Sequence, residues 1–442
     1  MRNCIGIRRE NKYLTEKRAP LSPYQVMKLI NLHGLHVVVE PSDTRIFSND
    51  EYEKVGAEIS EDLSNCNIVF GIKEIPVESL EEKMAYCFFS HTIKGQPYNM
   101  PMLKKILDQN CTLLDYELVT DQRDKRVIFF GNFAGYAGII NSMWALGKRL
   151  QTEGVHTPFA NLQQTCRYES LDEAKRAVGE VGERIKRDGL PDSMVPFVCG
   201  FTGYGQVSKG AQDMYELLPS QTLTPEELPE FFEKGDFSRY TVYKVVFKEE
   251  HMFAPKPYQG REKRFNLREY FSNPERYFGT FHNYVPYLTM VINGIYWTPK
   301  CPKLITKEYL KELYQQGENV RLKVIGDISC DIDGSIEMTV KATSSDNPVY
   351  VFDPETETVQ DGFEGRGPVV MAVDKLPAEL PRESSEYFGG SLMPFVPELA
   401  DADFFTQWDR IRMPREFRKA MIVHRGKLTR SFNHLQQSLP KE

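Results

Sequence analysis

The sequence predicts an α/β protein with a mostly parallel sheet, and three observations support this class. Short apolar runs alternate with amphipathic, helix-like segments through the first 130 residues. A glycine turn joins an apolar run to another helix-like segment between Val195 and Leu218. The 442 residues, 41% of them hydrophobic, can bury a sizeable core and suggest two or three domains.

The elements of the first part follow from these apolar runs. Strands are predicted at 4–7, 37–39, 67–71, 86–90, 111–115 and 127–130, and helices at 24–32 (capped by Ser22), 48–59 and 100–109. In parallel sheets, functional side chains gather at the carboxyl ends of strands. Lys73 and His91 occupy such ends, and Asp115 and Glu117 are further candidates.

The later part of the chain continues the same pattern. A mostly apolar helix is predicted at 134–151 and a charged helix at 170–187, with a domain boundary near residue 155. Beyond the glycine turn, strands are expected at 241–247, 287–293, 322–326, 349–352 and 369–373, a helix at 307–316 and a hairpin at 420–429. The polar, aromatic segment 248–278 lacks periodicity and is expected to be an insertion or a lid-like loop.

Charge and cysteine usage exclude several functional classes. The net charge of −7 disfavours nucleic acid and acidic membranes as partners. The sequence contains neither a long apolar run of membrane-spanning length nor the apolar core of a signal peptide. Its eight cysteines are scattered, without CxxC pairs or histidines at zinc spacing. We therefore expect a cytoplasmic protein without a bound metal.

The glycine turn is the first candidate site. Gly200, Gly203 and Gly205 stand between an apolar run and a helix-like segment, which allows backbone N–H groups to hold a pyrophosphate. Neither possible register gives three glycines at the spacing of the dinucleotide fingerprint. From the turn alone, a phosphate site and an ordinary surface turn remain equally open.

The other candidates also have two interpretations each. Lys73 is a solvated lysine or an acid–base group of shifted pKa, and His91 is a structural hydrogen-bond partner or a general catalyst. Arg18 is a surface arginine or a clamp for a substrate carboxylate, and Glu117 is exposed or a partner of Lys73. Asp327 ends an apolar strand beyond the glycine turn.

Taken together and in order, these residues resemble a known family. The chain is similar to the lysine–2-oxoglutarate reductase (saccharopine-forming) branch of the alanine dehydrogenase/transhydrogenase N-terminal superfamily. The resemblance runs through almost the whole chain. It is carried by nine motifs: EKRAPLSP (16–23), GIKEIP (71–76), FSHTIKGQ (89–96), LLDYELV (113–119), FGNFAGYAG (130–138), FTGYGQVSKGAQ (201–212), INGIYW (292–297), GDISCDIDGSIE (326–337) and DKLPAELPRESSEYFG (374–389).

The resemblance implies two Rossmann-like domains with mostly parallel sheets and an inter-domain cleft. It implies a discontinuous substrate domain, 1–155 with 375–442, and a dinucleotide-binding domain, 156–374. Lys73 and His91 would be the acid–base pair, and Arg18, Glu16 and Glu117 would bind substrate. The residues expected to bind the cofactor are Gly200, Gly203, Tyr204, Gly205, Gln206, Val207, Thr224, Asn293 and Asp327.

The activity implied by the resemblance is an oxidoreductase reaction on a CH–NH group. L-Lysine and 2-oxoglutarate would be condensed with NAD(P)H to saccharopine, or the reverse. The family's larger form fuses a second dehydrogenase, and this chain is expected to catalyse only the saccharopine-forming half. We expect only small-molecule partners, and the sequence leaves the oligomeric state open.

Cofactor choice and two alternatives remain open. An NAD-selecting enzyme would carry an acid about twenty residues after the glycine turn, where this chain has Thr224, with Glu226 two residues further on. This favours NADP(H) over NAD(H) without deciding between them. The alternatives are an alanine dehydrogenase or another amino-acid dehydrogenase, and a non-catalytic nucleotide-binding regulator on the same fold.

Overall fold

The computed structural model describes residues 3–13, 15–257, 263–317 and 320–440. Its strands are β1 Cys4–Ile7, β2 His36–Val39, β3 Glu58–Ile59, β4 Ile68–Phe70, β5 Ala85–Phe88, β6 Thr112–Asp115, β7 Phe197–Thr202, β8 Ser220–Leu223, β9 Val242–Phe247, β10 Phe253–Pro255, β11 Tyr277–Gly279, β12 Met290–Asn293, β13 Val324–Asp327, β14 Val349–Phe352, β15 Val359–Asp361, β16 Val369–Met371, β17 Met421–His424 and β18 Lys427–Leu428. Its α-helices are α1 Pro23–His33, α2 Asn49–Glu53, α3 Met100–Asp108, α4 Gly131–Thr152, α5 Leu171–Asp188, α6 Gln206–Tyr215, α7 Leu228–Lys234, α8 Glu249–Met252, α9 Leu267–Ser272, α10 Lys307–Gln316, α11 Pro381–Leu392, α12 Val396–Asp401 and α13 Arg415–Lys419.

The chain forms two compact units. The first unit consists of Met1–Phe130 with Pro381–Glu442, and the second unit is Gly131–Leu380. Each unit contains one sheet of eight strands. The expected α/β class with mostly parallel sheets is confirmed.

The sheet of the first unit has the strand order β18-β17-β6-β5-β4-β1-β2-β3. Strands β1 to β6 pair in parallel, whereas β17 pairs antiparallel to β6 and forms the expected hairpin with β18. Because β17 and β18 come from the end of the chain, the first domain is discontinuous, as predicted. The carboxyl ends of β4, β5 and β6 are neighbours, with Phe88 of β5 opposite Asp115 of β6.

Local sequence accounts for the first helix. Ser22 accepts a hydrogen bond from the backbone N–H of Gln25, and the Gln25 side chain bonds back to the backbone N–H of Ser22. This capping box satisfies two backbone donors that the helix leaves unpaired. Gly34 ends α1 with φ +62°, a left-handed conformation that glycine adopts without strain. The cap predicted at Ser22 is confirmed.

The sheet of the second unit has the order β15-β14-β16-β13-β12-β7-β9-β8. The six strands from β16 to β8 in this order pair in parallel. Strand β14 pairs antiparallel with both β16 and β15. Strand β9 lies between β7 and β8 although it follows both in the chain. The sequence did not indicate this order, which matters for the cofactor site.

Helix α4 belongs to the second unit because it packs closely on α6. A Cβ atom at Gly135 would lie 2.0 Å from the carbonyl oxygen of Val207, and one at Gly210 would lie 2.4 Å from that of Asn132. The two glycines let the helix backbones touch. The units accordingly divide before and not after α4, at 130 and 380, whereas the sequence suggested boundaries near 155 and 375.

Three other segments differ from expectation. Residues 127–130 form no strand. Their apolar side chains still pack, since Ile128 is buried and Phe130 stacks on Phe388. The predicted helix at 48–59 is limited to α2 and followed by β3. The segment 248–278 contains α8, β10, α9 and part of β11, which pairs with β10; its residues 258–262 lie outside the described part.

The described ranges contain no helix that is long and apolar enough to cross a membrane. Within the same ranges, His, Cys, Asp and Glu side chains form no group of three or more that could hold a metal ion.

Candidate active site

His91 lies just beyond the carboxyl end of β5 and is fixed from two sides. Its Nδ1 atom is 2.7 Å from Oε1 of Glu74, which follows β4. Its ring stacks on Phe89 with centroids 6.3 Å apart. The backbone of His91 has φ +48°, a left-handed conformation that is costly for a side chain with a Cβ atom. The surrounding structure therefore holds this imidazole in one defined place.

Glu74 is buried and remains charged. Asn99 Nδ2 lies 3.4 Å from its Oε1, and Lys12 Nζ lies 3.5 Å from its Oε2. Burial alone would raise its pKa, but His91 and Lys12 outweigh it and hold the pKa at about 2. With Nδ1 of His91 paired to this carboxylate, Nε2 is the ring nitrogen available for proton exchange.

Lys73 precedes Glu74, and its backbone is anchored by Glu10. The carboxylate of Glu10 accepts hydrogen bonds from the N–H groups of Ile72 and Lys73, at 2.6 and 2.9 Å. Glu10 follows β1, the neighbour of β4, so these two hydrogen bonds connect the segments that follow two adjacent strands. Burial raises the pKa of Glu16, but Arg18 and, with a smaller effect, the charge of Lys73 lower it.

Glu10 predicts a pH-dependent stability. Burial raises its pKa from 4.5 to about 7, although the nearby Arg8 pulls it down. The folded state therefore keeps this proton up to about pH 7, whereas the unfolded chain releases it near pH 4.5. Stability should fall as pH rises through that window, by about 3 kcal/mol from this group.

The measurement is urea unfolding of the wild type and Glu10→Gln at about pH 4.5 and about pH 8. The variant lacks the titrating group. The difference in free energy of unfolding between variant and wild type should therefore shift by about 2–3 kcal/mol in favour of the variant from the lower pH to the higher pH. Glu61→Gln, at an exposed carboxylate of the same unit, is the matched control and should show no such gain. An equal stability difference between wild type and Glu10→Gln at both pH values would contradict the assignment.

Arg18 and Glu16 form a buried ion pair. The guanidinium donates from Nε and Nη2 to the two carboxylate oxygens, at 2.7 and 2.6 Å. Burial alone would raise the pKa of Glu16, but the contacts with Arg18 outweigh it and lower the pKa. Nη1 of Arg18 donates no hydrogen bond to the residues that the structure describes. The bidentate face expected to bind a substrate is thus occupied by Glu16 in this structure.

An aromatic group connects these residues to the C-terminal segment. The Arg18 guanidinium lies 4.3 Å from the ring centre of Phe130. Phe130 in turn stacks on Phe388 of α11 at 4.7 Å, and Tyr116 meets Phe388 at 4.9 Å. Phe388 of the C-terminal segment therefore packs beside the residues that follow the strand ends.

Asp115 connects the segments that follow β5 and β6 through hydrogen bonds. It is buried at the end of β6 and accepts hydrogen bonds from the N–H and hydroxyl of Ser90, at 3.0 and 2.5 Å, and from the N–H of Glu117 at 2.8 Å. Burial raises its pKa. These bonds fix the residues that lead to His91, and they leave the half-buried Glu117 as a candidate beside them.

In the second unit, the glycine turn has the geometry of a phosphate cradle. Gly203 has φ +79°, and Gly205, which has no side chain, occupies the N-cap of α6. No described atom lies within 4 Å of the place where a Cβ of Gly205 would be. The backbone N–H groups at the start of α6 thus lack a side-chain cap of their own, which fits a pyrophosphate.

The other predicted residues of the turn divide into two groups. Tyr204 and Gln206 are exposed and Val207 is half-buried beside the cradle. Gly200 lies within β7, three residues before Gly203, and a Cβ atom there would come 2.8 Å from Leu288 Cδ1. Its absence of a side chain serves packing of the sheet.

Asn293 and Asp327 belong to a buried polar network at the ends of β12 and β13. Asn293 accepts from the Thr202 hydroxyl at 2.6 Å and donates to Asp327 at 2.8 Å. Asp327 also accepts from the Thr339 hydroxyl at 2.6 Å. Burial raises the pKa of Asp327 to about 6. The network fixes three neighbouring strand ends beside the turn.

Thr224 does not have the position that the sequence rule assumes. It follows β8 at the edge of the sheet, and its N–H donates to Glu227 at 2.7 Å in a helix cap. The rule holds when the strand after the glycine helix lies beside the glycine strand. Here β9 lies beside β7, so the inference from Thr224 to NADP(H) loses its basis.

Sequence reasoning missed three residues of the site. Glu10, Glu74 and Asn99 are all buried and all bond to groups around Lys73 or His91. Two of them carried a signal, since Glu10 comes shortly after the first strand and Glu74 is adjacent to Lys73. Asn99 gave no signal in the sequence, because it lies at the start of α3 and only the fold brings it close to His91 and Glu74.

Two family models match the chain. "Alanine dehydrogenase/PNT, N-terminal domain" matches residues 6–137, and "Alanine dehydrogenase/PNT, C-terminal domain" matches residues 279–431. Among solved structures, an L-alanine dehydrogenase matches with a TM-score of 0.61 at 17% identity, covering 99% of this chain and 100% of that one. A Sinorhizobium meliloti transhydrogenase matches with a TM-score of 0.58 at 15% identity, covering 96% and 100%. These two likenesses concern the fold alone.

Curated relatives are more similar in sequence. The alpha-aminoadipic semialdehyde synthase of Arabidopsis thaliana is 38% identical over 99% of this chain and 42% of its own length. The mitochondrial protein of that name from Bos taurus is 36% identical over 98% and 47%. The chain thus spans less than half of these relatives. A saccharopine dehydrogenase [NAD(+), L-lysine-forming] of Emericella nidulans is 28% identical over 92% of this chain and 94% of its own.

Proposed function

Because the chain belongs to the alanine dehydrogenase/PNT family, we propose that it is the oxidoreductase that forms saccharopine from L-lysine and 2-oxoglutarate, or runs the reverse reaction, with NAD(P)H. Family membership identifies an oxidoreductase fold with an NAD(P)-binding C-terminal domain. The names of the relatives, aminoadipic semialdehyde synthase and saccharopine dehydrogenase, support the narrower choice of substrate.

The single observation that carries the proposal is the His91–Glu74 pair beside Lys73 at adjacent strand ends. Condensation requires the ε-amine of the substrate lysine to lose a proton before it attacks the keto carbon of 2-oxoglutarate. The carbinolamine oxygen must then gain a proton and leave as water, which gives an imine. An imidazole whose other nitrogen is held by a carboxylate is suited to such proton transfers.

Glu74 stabilises the charged imidazolium that forms when His91 takes up a proton. Since the pKa of Glu74 is held at about 2, it stays anionic throughout the range in which an imidazole titrates. Lys73 is proposed as the second acid–base group, positioned by the bonds from its own and the preceding N–H to Glu10.

The carboxylates of 2-oxoglutarate need cationic partners. Arg18 is proposed to bind one of them through Nη1 or by exchanging Glu16 for the substrate, since a guanidinium binds carboxylates in either way. If binding uses Nη1, Glu16 sets the orientation of the guanidinium through its bonds of 2.7 and 2.6 Å. Glu117, half-buried after β6, is proposed to contact the substrate amine.

The second unit is proposed to bind the dinucleotide. Gly203, Tyr204, Gly205, Gln206 and Val207 would hold the pyrophosphate through their backbone at the start of α6. When bound, the nicotinamide supplies the hydride that reduces the imine carbon. Asn293 and Asp327 would keep the neighbouring strand ends rigid through their buried network.

The proposal is tested by following NAD(P)H oxidation with two substrate pairs, lysine with 2-oxoglutarate and pyruvate with ammonia, each with NADH and with NADPH. We expect turnover with the first pair only. Turnover only with pyruvate and ammonia would contradict the proposal and indicate an alanine dehydrogenase. Failure to bind either dinucleotide would contradict every dehydrogenase assignment.

A further inference from the structure

Two cysteines of the first unit lie side by side although they are 62 residues apart in the chain. The Sγ atoms of Cys4 and Cys66 are 3.5 Å apart, and both side chains are buried. The fold brings them together, because β1 pairs with β4 and the N–H of Asn67 donates to the carbonyl oxygen of Cys4 at 2.9 Å. The spacing of the two cysteines along the chain carries no sign of this contact.

His36 joins this pair of thiols from the next strand. Its Nδ1 atom lies 3.5 Å from Sγ of Cys4, and its Nε2 atom lies 2.9 Å from Oε2 of Glu58. A histidine whose outer nitrogen is paired with a carboxylate can accept a thiol proton on its other nitrogen. The hydrogen bond with Cys66 and the nearby His36 hold the pKa of the Cys4 thiol below its ordinary value, although burial raises it. The thiolate is the reactive form of a cysteine.

The backbone leaves room for the two sulfur atoms to meet. Cys4 and Gly6 lie on the same face of β1, because successive side chains of a strand alternate between faces. A Cβ atom at Gly6 would come 3.3 Å from Sγ of Cys66, so the missing side chain gives that thiol its place beside Cys4. A disulfide requires the sulfur atoms to approach by about 1.5 Å, which rotation of the two side chains can supply.

The pair lies just below the surface at the amino edge of the sheet. Cys4 and His36 are the first residues of β1 and β2, and Cys66 comes two residues before β4. Asn3 and Asn65, which precede the two cysteines, are exposed, as is His36. The proposed acid–base residues follow the carboxyl ends of the strands. This group of side chains is therefore separate from them.

We propose that Cys4 and Cys66 form a reversible redox site that a hydroperoxide oxidises to a disulfide, with His36 as the base. The Cys4 thiol gives its proton to Nδ1 of His36, and its sulfur attacks one oxygen of hydrogen peroxide. The O–O bond breaks, Cys4 becomes a sulfenic acid, and the leaving hydroxide takes the proton from His36 to form water. The Cys66 thiol then attacks the Cys4 sulfur, so the S–S bond forms and a second water leaves. Two thiols and one peroxide thus give one disulfide and two waters.

The test needs no turnover and is independent of the proposed dehydrogenase activity. The full-length, reduced protein is treated with an equal amount of hydrogen peroxide, and free thiols are blocked before peptide mass spectrometry. We expect a linked pair of peptides that contain Cys4 and Cys66, which dithiothreitol separates. Cys66→Ala should stop at the sulfenic acid of Cys4, which dimedone traps. Cys166, an exposed cysteine of the second unit, is the internal control and should form no linked peptide.

A second pair of variants tests the base without changing the core. His36→Gln removes the proton acceptor at an exposed position and should slow formation of the linked peptide by at least about 10-fold. His33→Gln, at the exposed end of α1, is the matched control and should leave that rate within about twofold of wild type. Oxidation of Cys166 without a link between Cys4 and Cys66 would overturn the proposal, as would equal rates in His36→Gln and wild type.

Discussion

Replacing Lys73 with methionine and His91 with glutamine together is expected to lower kcat for saccharopine formation by about 10²–10⁴-fold. Both substitutions keep the approximate size of the side chain and remove the group that transfers protons. Glutamine can still bond to Glu74 in place of Nδ1, so the strand ends should keep their structure. The measurement is steady-state kcat and KM with saturating lysine, 2-oxoglutarate and reduced cofactor.

The chain offers a matched control for this variant. His36 also pairs with a carboxylate, 2.9 Å from Oε2 of Glu58, but it begins β2 and thus lies at the amino edge of the same sheet. His36→Gln should leave kcat within about twofold of wild type, because surface substitutions away from the site rarely matter. If the Lys73 and His91 double variant stays within about threefold of wild type, the acid–base assignment is contradicted.

Substituting Gly135 with alanine is expected to reduce the free energy of unfolding of the second unit by about 1–3 kcal/mol or more. The added Cβ would lie 2.0 Å from the carbonyl oxygen of Val207 and 2.7 Å from the backbone nitrogen of Ala211. Both obstacles are backbone atoms of α6, so relief requires the two helices to separate. Separation opens voids in a close-packed interior. Urea unfolding followed by circular dichroism measures the loss.

Gly179 provides the control for that substitution. It lies within α5, and apart from its chain neighbours and the backbone of its own helix no described atom comes within 4 Å of a Cβ placed there. Gly179→Ala should therefore stabilise by about 0.5–1 kcal/mol, because alanine loses less backbone freedom in a helix than glycine. Equal effects of the two substitutions would contradict the close contact of α4 with α6.

Local pattern was sufficient to place the strand ends that precede Lys73 and His91. Lys73 and His91 follow short apolar runs, and such runs in a parallel sheet end at one edge. The family resemblance, now confirmed by the two domain models, also predicted that the C-terminal segment completes the first sheet. The aromatic contact between Phe130 and Phe388 joins the two segments of the chain that form this unit.

The partners of those residues could not be predicted, because they depend on contacts between distant segments. Glu10 reaches Lys73 only because β1 pairs with β4. Arg18 and Glu16 are two residues apart, yet their fork geometry depends on a loop without periodicity. The order of β8 and β9 is the largest difference, since sequence order suggests that β8 would lie beside β7. Strand β8 is polar and mostly exposed, as suits the edge of a sheet, whereas β9 is apolar and mostly buried, as suits an interior place. The composition agrees with the observed order, but chain order alone suggested the other one.

The central claim is that the site joins lysine to 2-oxoglutarate through the ε-amine of lysine. The most direct measurement is mass spectrometry of the product formed from lysine with a heavy-nitrogen label at that amine, 2-oxoglutarate and reduced cofactor. The account predicts one product that contains both carbon skeletons and the label, formed in equal amount to the cofactor oxidised. Cofactor oxidation without that product, or formation of alanine from pyruvate and ammonia in its place, would contradict the account.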